Sequence, residues 1–294
     1  MSGRALVLGG GGSAGNAWLV GVVAGLADAG MDVTAADRVI GTSAGATAAV
    51  QVTGAQPGAL LAQILSAEVP RRPRVSAEGN PDRTPHRPAV DHLERTGRII
   101  AAASDAVDMR RRMGAAALAL AADADGSWAT RWRATVAARL PTSAWPSREV
   151  LIPVVDARTG QPVVFDRYSG VDVVDAVAAS TSSAYPYPIG DDWYIDGGYR
   201  RNENADLAAG CERVLVLSPL GGRTRHPLDW GLQLAAQVDE LRAEGSRVEA
   251  ILPDGPSLGA FGPNLMDPST RRPAARAGFE QGRAAGARLR DWWH

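Results

Sequence analysis

Ser43 has the setting that most favours chemistry. It lies in Gly41-Thr42-Ser43-Ala44-Gly45, a G-x-S-x-G pattern between an apolar run ending at Val39-Ile40 and a small-residue segment from Ala44 to about Val52. Between a strand and a helix, such a serine stands on a sharp turn, and the flanking glycines let neighbouring backbone pass without Cβ clashes. The chemistry is nucleophilic attack on a carbonyl carbon. The following helix would present free N–H groups and the positive end of its dipole. Upstream, Gly9 to Gly12 form a glycine run. The N–H groups of Gly10, Gly11 and Gly12, with that of Ala44, are candidate donors to an oxyanion, because absent side chains let backbone close on a substrate. A third element is Asp196-Gly197-Gly198 after the apolar Trp193-Tyr194-Ile195. It offers a carboxylate at a strand end, although the same three residues also read as a plain turn.

The glycine run has a rival reading. Gly10, Gly12 and Gly15 match G-x-G-x-x-G after a strand and before a helix, and Asp37 follows Gly15 by 22 residues. Those are the marks of a dinucleotide-binding turn with its ribose-binding acid. A Rossmann-type oxidoreductase would leave the G-x-S-x-G segment unexplained.

These residues need elements to hold them. Residues 4–8 read as a buried strand, and 16–29 as a helix with Trp18, Val22, Leu26 and Ala29 on one face, stopped by Gly30. A second strand, the serine turn and a second helix follow. This alternation predicts an α/β domain with a parallel sheet. Residues 68–90 hold five prolines and read as an irregular loop, and 91–140 are Ala/Arg-rich and mostly helical. Strands are predicted at 150–157, 162–166, 193–198, 214–220 and 247–253, a helix at 172–179, a Ser/Tyr/Pro loop after it, and a helical tail at 269–292. The expectation is one domain over 1–294, carrying a helical, Pro/Arg-rich, cap-like insertion at 68–147. Within it, Met109, Met113, Leu118 and Leu120 either line an acyl pocket or pack the cap, with packing preferred.

Composition narrows the function. The 294 residues are 45% hydrophobic and 21% charged, ordinary for a globular protein, and every one of the 31 basic residues is arginine. A net charge of −1 argues against a general nucleic-acid binder. One cysteine, Cys211, and four scattered histidines suggest neither a disulfide framework nor a Cys/His metal cluster. No apolar run approaches a membrane span, and Arg4 leads straight into a strand without a signal-peptide layout. The expectation is a soluble, cytoplasmic protein. An arginine excess between Arg71 and Arg112 allows peripheral contact with an anionic membrane, although a solvated basic face is the simpler account.

The order GGGxxG, GTSAG, then a serine/proline loop into DGG resembles the patatin-like phospholipase family. The likeness runs through residues 4–52 and 150–220, including Asn202 and Asp206-Leu207-Ala208. It implies a three-layer α/β/α fold with a mainly parallel central sheet. It also implies hydrolysis of acyl esters, commonly of lipids, by a Ser–Asp dyad: Ser43 as nucleophile, Asp196 as base, and Gly10, Gly11 and Gly12 as oxyanion donors. Neither a metal nor an organic cofactor is implied. Two positions depart from the family pattern. Ala14 stands where a basic residue is usual, and Asn204 where proline is usual. A Ser43–Asp196–His226 triad would have an acceptable chain order, but His226 lies in what reads as a surface loop. His86 and His92 fall in or beside the irregular stretch, and His294 is the last residue. A patatin-fold binding module without catalysis is the non-enzymatic alternative.

Overall fold

The apolar run RALVL becomes β1 (Arg4–Leu8), followed by α1 (Gly12–Asp28), β2 (Arg38–Gly41), α2 (Ala44–Gly54) and α3 (Pro57–Ser66). The computed structural model describes residues 2–68, 88–122 and 126–294. Most of the predicted 68–90 loop therefore lies outside the described residues. Among the described residues, α4 (Pro88–Ala102), α5 (Ala106–Ala122) and α6 (Ser127–Ala137) come before the next strand. Then come β3 (Glu149–Asp156), β4 (Pro162–Phe165), α7 (Val173–Ser180), β5 (Tyr187–Ile189), β6 (Asp192–Asp196), β7 (Arg213–Leu217), α8 (Leu234–Ala243), β8 (Arg247–Ile251), α9 (Gly255–Phe261) and α10 (Arg271–Trp293).

The strands form one sheet in the order β5-β6-β3-β2-β1-β7-β8, with β4 also paired to β3. The β1–β2, β1–β7, β2–β3 and β7–β8 pairs are parallel, and β4, β5 and β6 join antiparallel. Strand β1 is apolar on both faces because the sheet is covered on both. Leu6 and Leu8 join a core with α1, α2 and α10, while Ala5 and Val7 pack with residues of α8 and the 205–208 turn. A third cluster joins Ile100, Met109 and Met113 to Val155, Ala157 and Ile195. Met109 and Met113 are thus buried packing residues, the preferred expectation.

The parallel register puts the ends of β1 and β2 together, with Leu8 opposite Gly41. The glycine run and Ser43 therefore emerge side by side. On β3, Leu151 pairs with Ile40 and Val154 with Asp196, so β6 delivers the carboxylate three residues beyond the pairing with Ile40.

Candidate active site

The turn after β2 is strained at Ser43, a non-glycine residue at φ 54°, ψ −117°. Backbone in such a region is held only where its surroundings over-determine it. The restraints are visible. Thr42 N–H donates to the Leu8 carbonyl at 3.0 Å. A Cβ on Gly45 would lie 1.9 Å from the Leu8 carbonyl oxygen, and one on Gly41 2.5 Å from that of Gly45. The turn can form only because both positions are glycine. Ser180 adds a third restraint: its Oγ accepts from Ser43 N–H at 3.1 Å and donates to the Pro153 carbonyl at 2.9 Å.

Ser43 Oγ donates to Asp196 Oδ2 at 2.7 Å, and Asp196 Oδ1 accepts from Gly198 N–H at 2.8 Å. Asp196 is buried, and burial raises its pKa to about 6 against the opposing pull of these two hydrogen bonds. At that value it is a far better proton acceptor near neutrality than a solvated carboxylate.

The glycine run faces this pair. A Cβ on Gly10 would lie 3.5 Å from Ser43 Cβ. Of the four expected donors, Gly10 is already engaged: its N–H donates to the Asn202 carbonyl at 3.1 Å. Among the described residues no acceptor pairs with the N–H groups of Gly11, Gly12 or Ala44. Gly12 opens α1 and Ala44 opens α2, so both are first-turn donors at positive helix ends.

Behind the turn lies a buried polar network that sequence patterns did not reveal. Glu203 accepts from Asn202 Nδ2 at 2.8 Å and Ser218 Oγ at 2.6 Å, and burial raises its pKa. Asn204 donates to Thr42 Oγ1 at 3.0 Å and to the Gly197 carbonyl at 3.2 Å. Asn204 has φ 54°, a value that a proline ring forbids.

The rival constellations are not assembled. Asp37 accepts from the Arg4 N–H at 2.8 Å, at the start of β1, whereas the glycine run follows the end of that strand. An acid there is a strand length from where a dinucleotide ribose would sit over Gly10–Gly15. His226 bonds Thr224 Oγ1 through Nδ1 at 2.9 Å and stacks on Trp230, and desolvation with Arg225 nearby lowers its pKa to about 4. It makes no bond to Ser43 or Asp196. It lines a cavity of about 450 Å³ between α4 and Arg225–Pro227, whose lining excludes both residues. His92 bonds Arg95, and His86 lies outside the described residues.

Fold, paired loops and carboxylate place the molecule among α/β/α proteins with a serine turn. The family is defined by sequence: the Patatin-like phospholipase model matches residues 6–209, and the chain belongs to that family. Among solved structures it is similar to VipD from Legionella pneumophila, with 13% identity and a TM-score of 0.42, over 97% of this chain and 67% of that one. No curated protein matches it. Family membership supports lipid acyl-ester hydrolysis as the class of activity. Among the described residues no helix is long and apolar enough to cross a membrane.

Proposed function

We propose that this chain is a serine acyl hydrolase acting on lipid esters through Ser43 and Asp196. The observation that carries the reading is the 2.7 Å bond from Ser43 Oγ to a buried carboxylate, at a strained turn between β2 and α2. Asp196 Oδ2 takes the serine proton as Ser43 Oγ bonds to the ester carbonyl carbon. The carbonyl oxygen becomes an oxyanion facing the N–H groups of Gly11, Gly12 and Ala44, with Gly10 holding the loop rather than donating. As the C–O bond to the leaving alcohol breaks, Asp196 returns the proton to that oxygen. Water then attacks the acyl-serine, giving its proton to Asp196 and hence to Ser43, and a carboxylic acid leaves. The chemistry calls on no metal or organic cofactor. In this reading the chain forms one domain with an insertion at 68–147, whose described helices α4 and α5 pack onto it through Ile100, Met109 and Met113. The substrate in this reading is a lipid or other acyl ester, met at the periphery of a membrane, while the arginine excess of the insertion is most simply a solvated face.

A fluorophosphonate probe tests it: the probe should label Ser43 in the wild-type protein. Ser43→Ala should keep the fold and lose both labelling and hydrolysis of p-nitrophenyl butyrate. More than a few per cent of the wild-type kcat in that variant would exclude Ser43 as nucleophile.

A further inference from the structure

Arg271 stands at the first position of α10, far outside the stretch that defines the family. Its guanidinium donates to the Ser13 carbonyl at 3.1 Å and to Asn16 Oδ1 at 3.1 Å, both in the opening turns of α1. Asn16 Nδ2 in turn donates to Gln51 Oε1 at 3.0 Å and toward the Ala44 carbonyl at 3.4 Å. One turn of chain away, the Leu265 carbonyl accepts from Ala14 N–H at 2.9 Å. The segment 265–271 therefore grips the start of α1 and, through Asn16, the start of α2. Those two starts carry the free N–H groups of Gly12 and Ala44.

Stability does not explain the choice of residue. A cation beside a helix N-terminus opposes the helix dipole, which favours an acid there. Arg271 is half-buried, and no carboxylate pairs with it among the described residues. Burial and the neighbouring Arg139 both act against its charge. A largely desolvated guanidinium that meets only neutral acceptors, Ser13 and Asn16, beside the glycine run has its charge uncompensated at rest. It becomes favourable when negative charge develops nearby, as an oxyanion does in acyl transfer.

We infer that Arg271 is a positioning residue for the oxyanion donors, fixing the starts of α1 and α2 relative to each other and setting a positive charge beside them. The inference rests on the reading of Ser43 as nucleophile. Arg271→Gln removes the charge, and Arg271→Lys keeps it but gives up the two-armed fork.

The test compares both variants with wild type in kcat and KM on p-nitrophenyl butyrate, in the rate constant of Ser43 phosphonylation, in the fraction of protein that can be labelled, and in thermal unfolding. In Arg271→Gln, kcat and the phosphonylation rate should both fall about tenfold, with KM within about twofold. The labelled fraction should stay complete and the melting temperature should not fall. Arg271→Lys should lie between Arg271→Gln and wild type. An unchanged phosphonylation rate in Arg271→Gln overturns the inference. So does a loss of activity that tracks a falling labelled fraction. Should Arg271→Gln not fold, Arg271→Lys decides: a slowed rate at full labelling supports the role, and a wild-type rate overturns it. Failure of the wild-type protein to label at Ser43 overturns the hydrolase reading and this role with it. Normal wild-type labelling with an unaffected variant overturns this role alone.

Discussion

At the scale of residues, the proposed dyad turns on one carboxylate whose protonation controls both activity and stability, with opposite signs. Asp196 acts as a base only when ionised, so kcat/KM should rise with pH and level off above about 6. Stability runs the other way. The folded-state value lies above the ordinary 3.8, so the native protein holds this proton more tightly than the unfolded chain. That contribution is fully present below pH 3.8 and is lost as pH rises through about 6. Asp196→Asn should therefore abolish hydrolysis yet stabilise the fold at pH 8, by up to about 3 kcal/mol if the whole shift is relieved. His226→Ala should leave the pH profile in place. A pH–rate profile and urea melts at pH 4 and pH 8 check the signs. Ser43 and the glycines were legible because a sharp turn needs particular residue types at fixed spacing. Arg271 was not, since it reaches the site from the far end of the chain, and Ser180 and Glu203 were not, since neither stands in a motif that marks its partners.

At the scale of elements, the alternation of strand and helix was legible wherever a segment faces both layers. Strand β1 fell on the predicted 4–8, and β3, β4, β7 and β8 begin within a residue of expectation. Strand β5 was read as loop: it is three residues long with a proline at its centre, a composition tolerated only at a sheet edge. Helix α1 starts four residues before the predicted Asn16, because glycines disguise its first turn. Its packing was also hidden. Ala14 through Leu26 are all buried, so no polar face marks the period. The reason is a close crossing with α10. A Cβ on Gly25 would lie 2.1 Å from the Phe279 carbonyl oxygen, and one on Gly282 2.3 Å from that of Val22. Gly25→Ala thus pits helix propensity, about 1 kcal/mol in favour of alanine, against a backbone clash that must push two helices apart. The clash should win, with a net loss of about 2 kcal/mol or more in urea unfolding. Because α1 carries Gly12 at its start, the same variant should also lower kcat.

At the scale of the whole molecule, the family-defining stretch 6–209 leaves out elements that pair with β1 and cover α1. Strand β1, which carries the glycine run at its end, is hydrogen-bonded on one side to β2 and on the other to β7, which begins at Arg213. Helix α1 is covered by α10, whose Ala274, Ala275, Leu289 and Trp293 are buried in the same core as Trp18, Val22 and Leu26. Trp293 is fully buried, and its indole N–H donates to the Asp32 carbonyl at 3.2 Å. Trp18 is held likewise, its indole donating to Ser257 Oγ at 3.1 Å and Gln281 Oε1 at 3.0 Å. Removing residues 269–294 would expose both tryptophans' surroundings and one whole side of α1. Each large apolar side chain so uncovered costs about 1.5–3 kcal/mol. A handful of them exceeds the roughly 5–15 kcal/mol by which a domain is stable. The truncated chain should therefore show no cooperative thermal transition, bind a hydrophobic dye, and fail to react with a fluorophosphonate, although Ser43, Asp196 and all four glycines of the run remain in it. Cooperative melting with retained labelling would mean that α10 decorates the fold instead of completing it, and would detach the oxyanion loop from the helix that grips it.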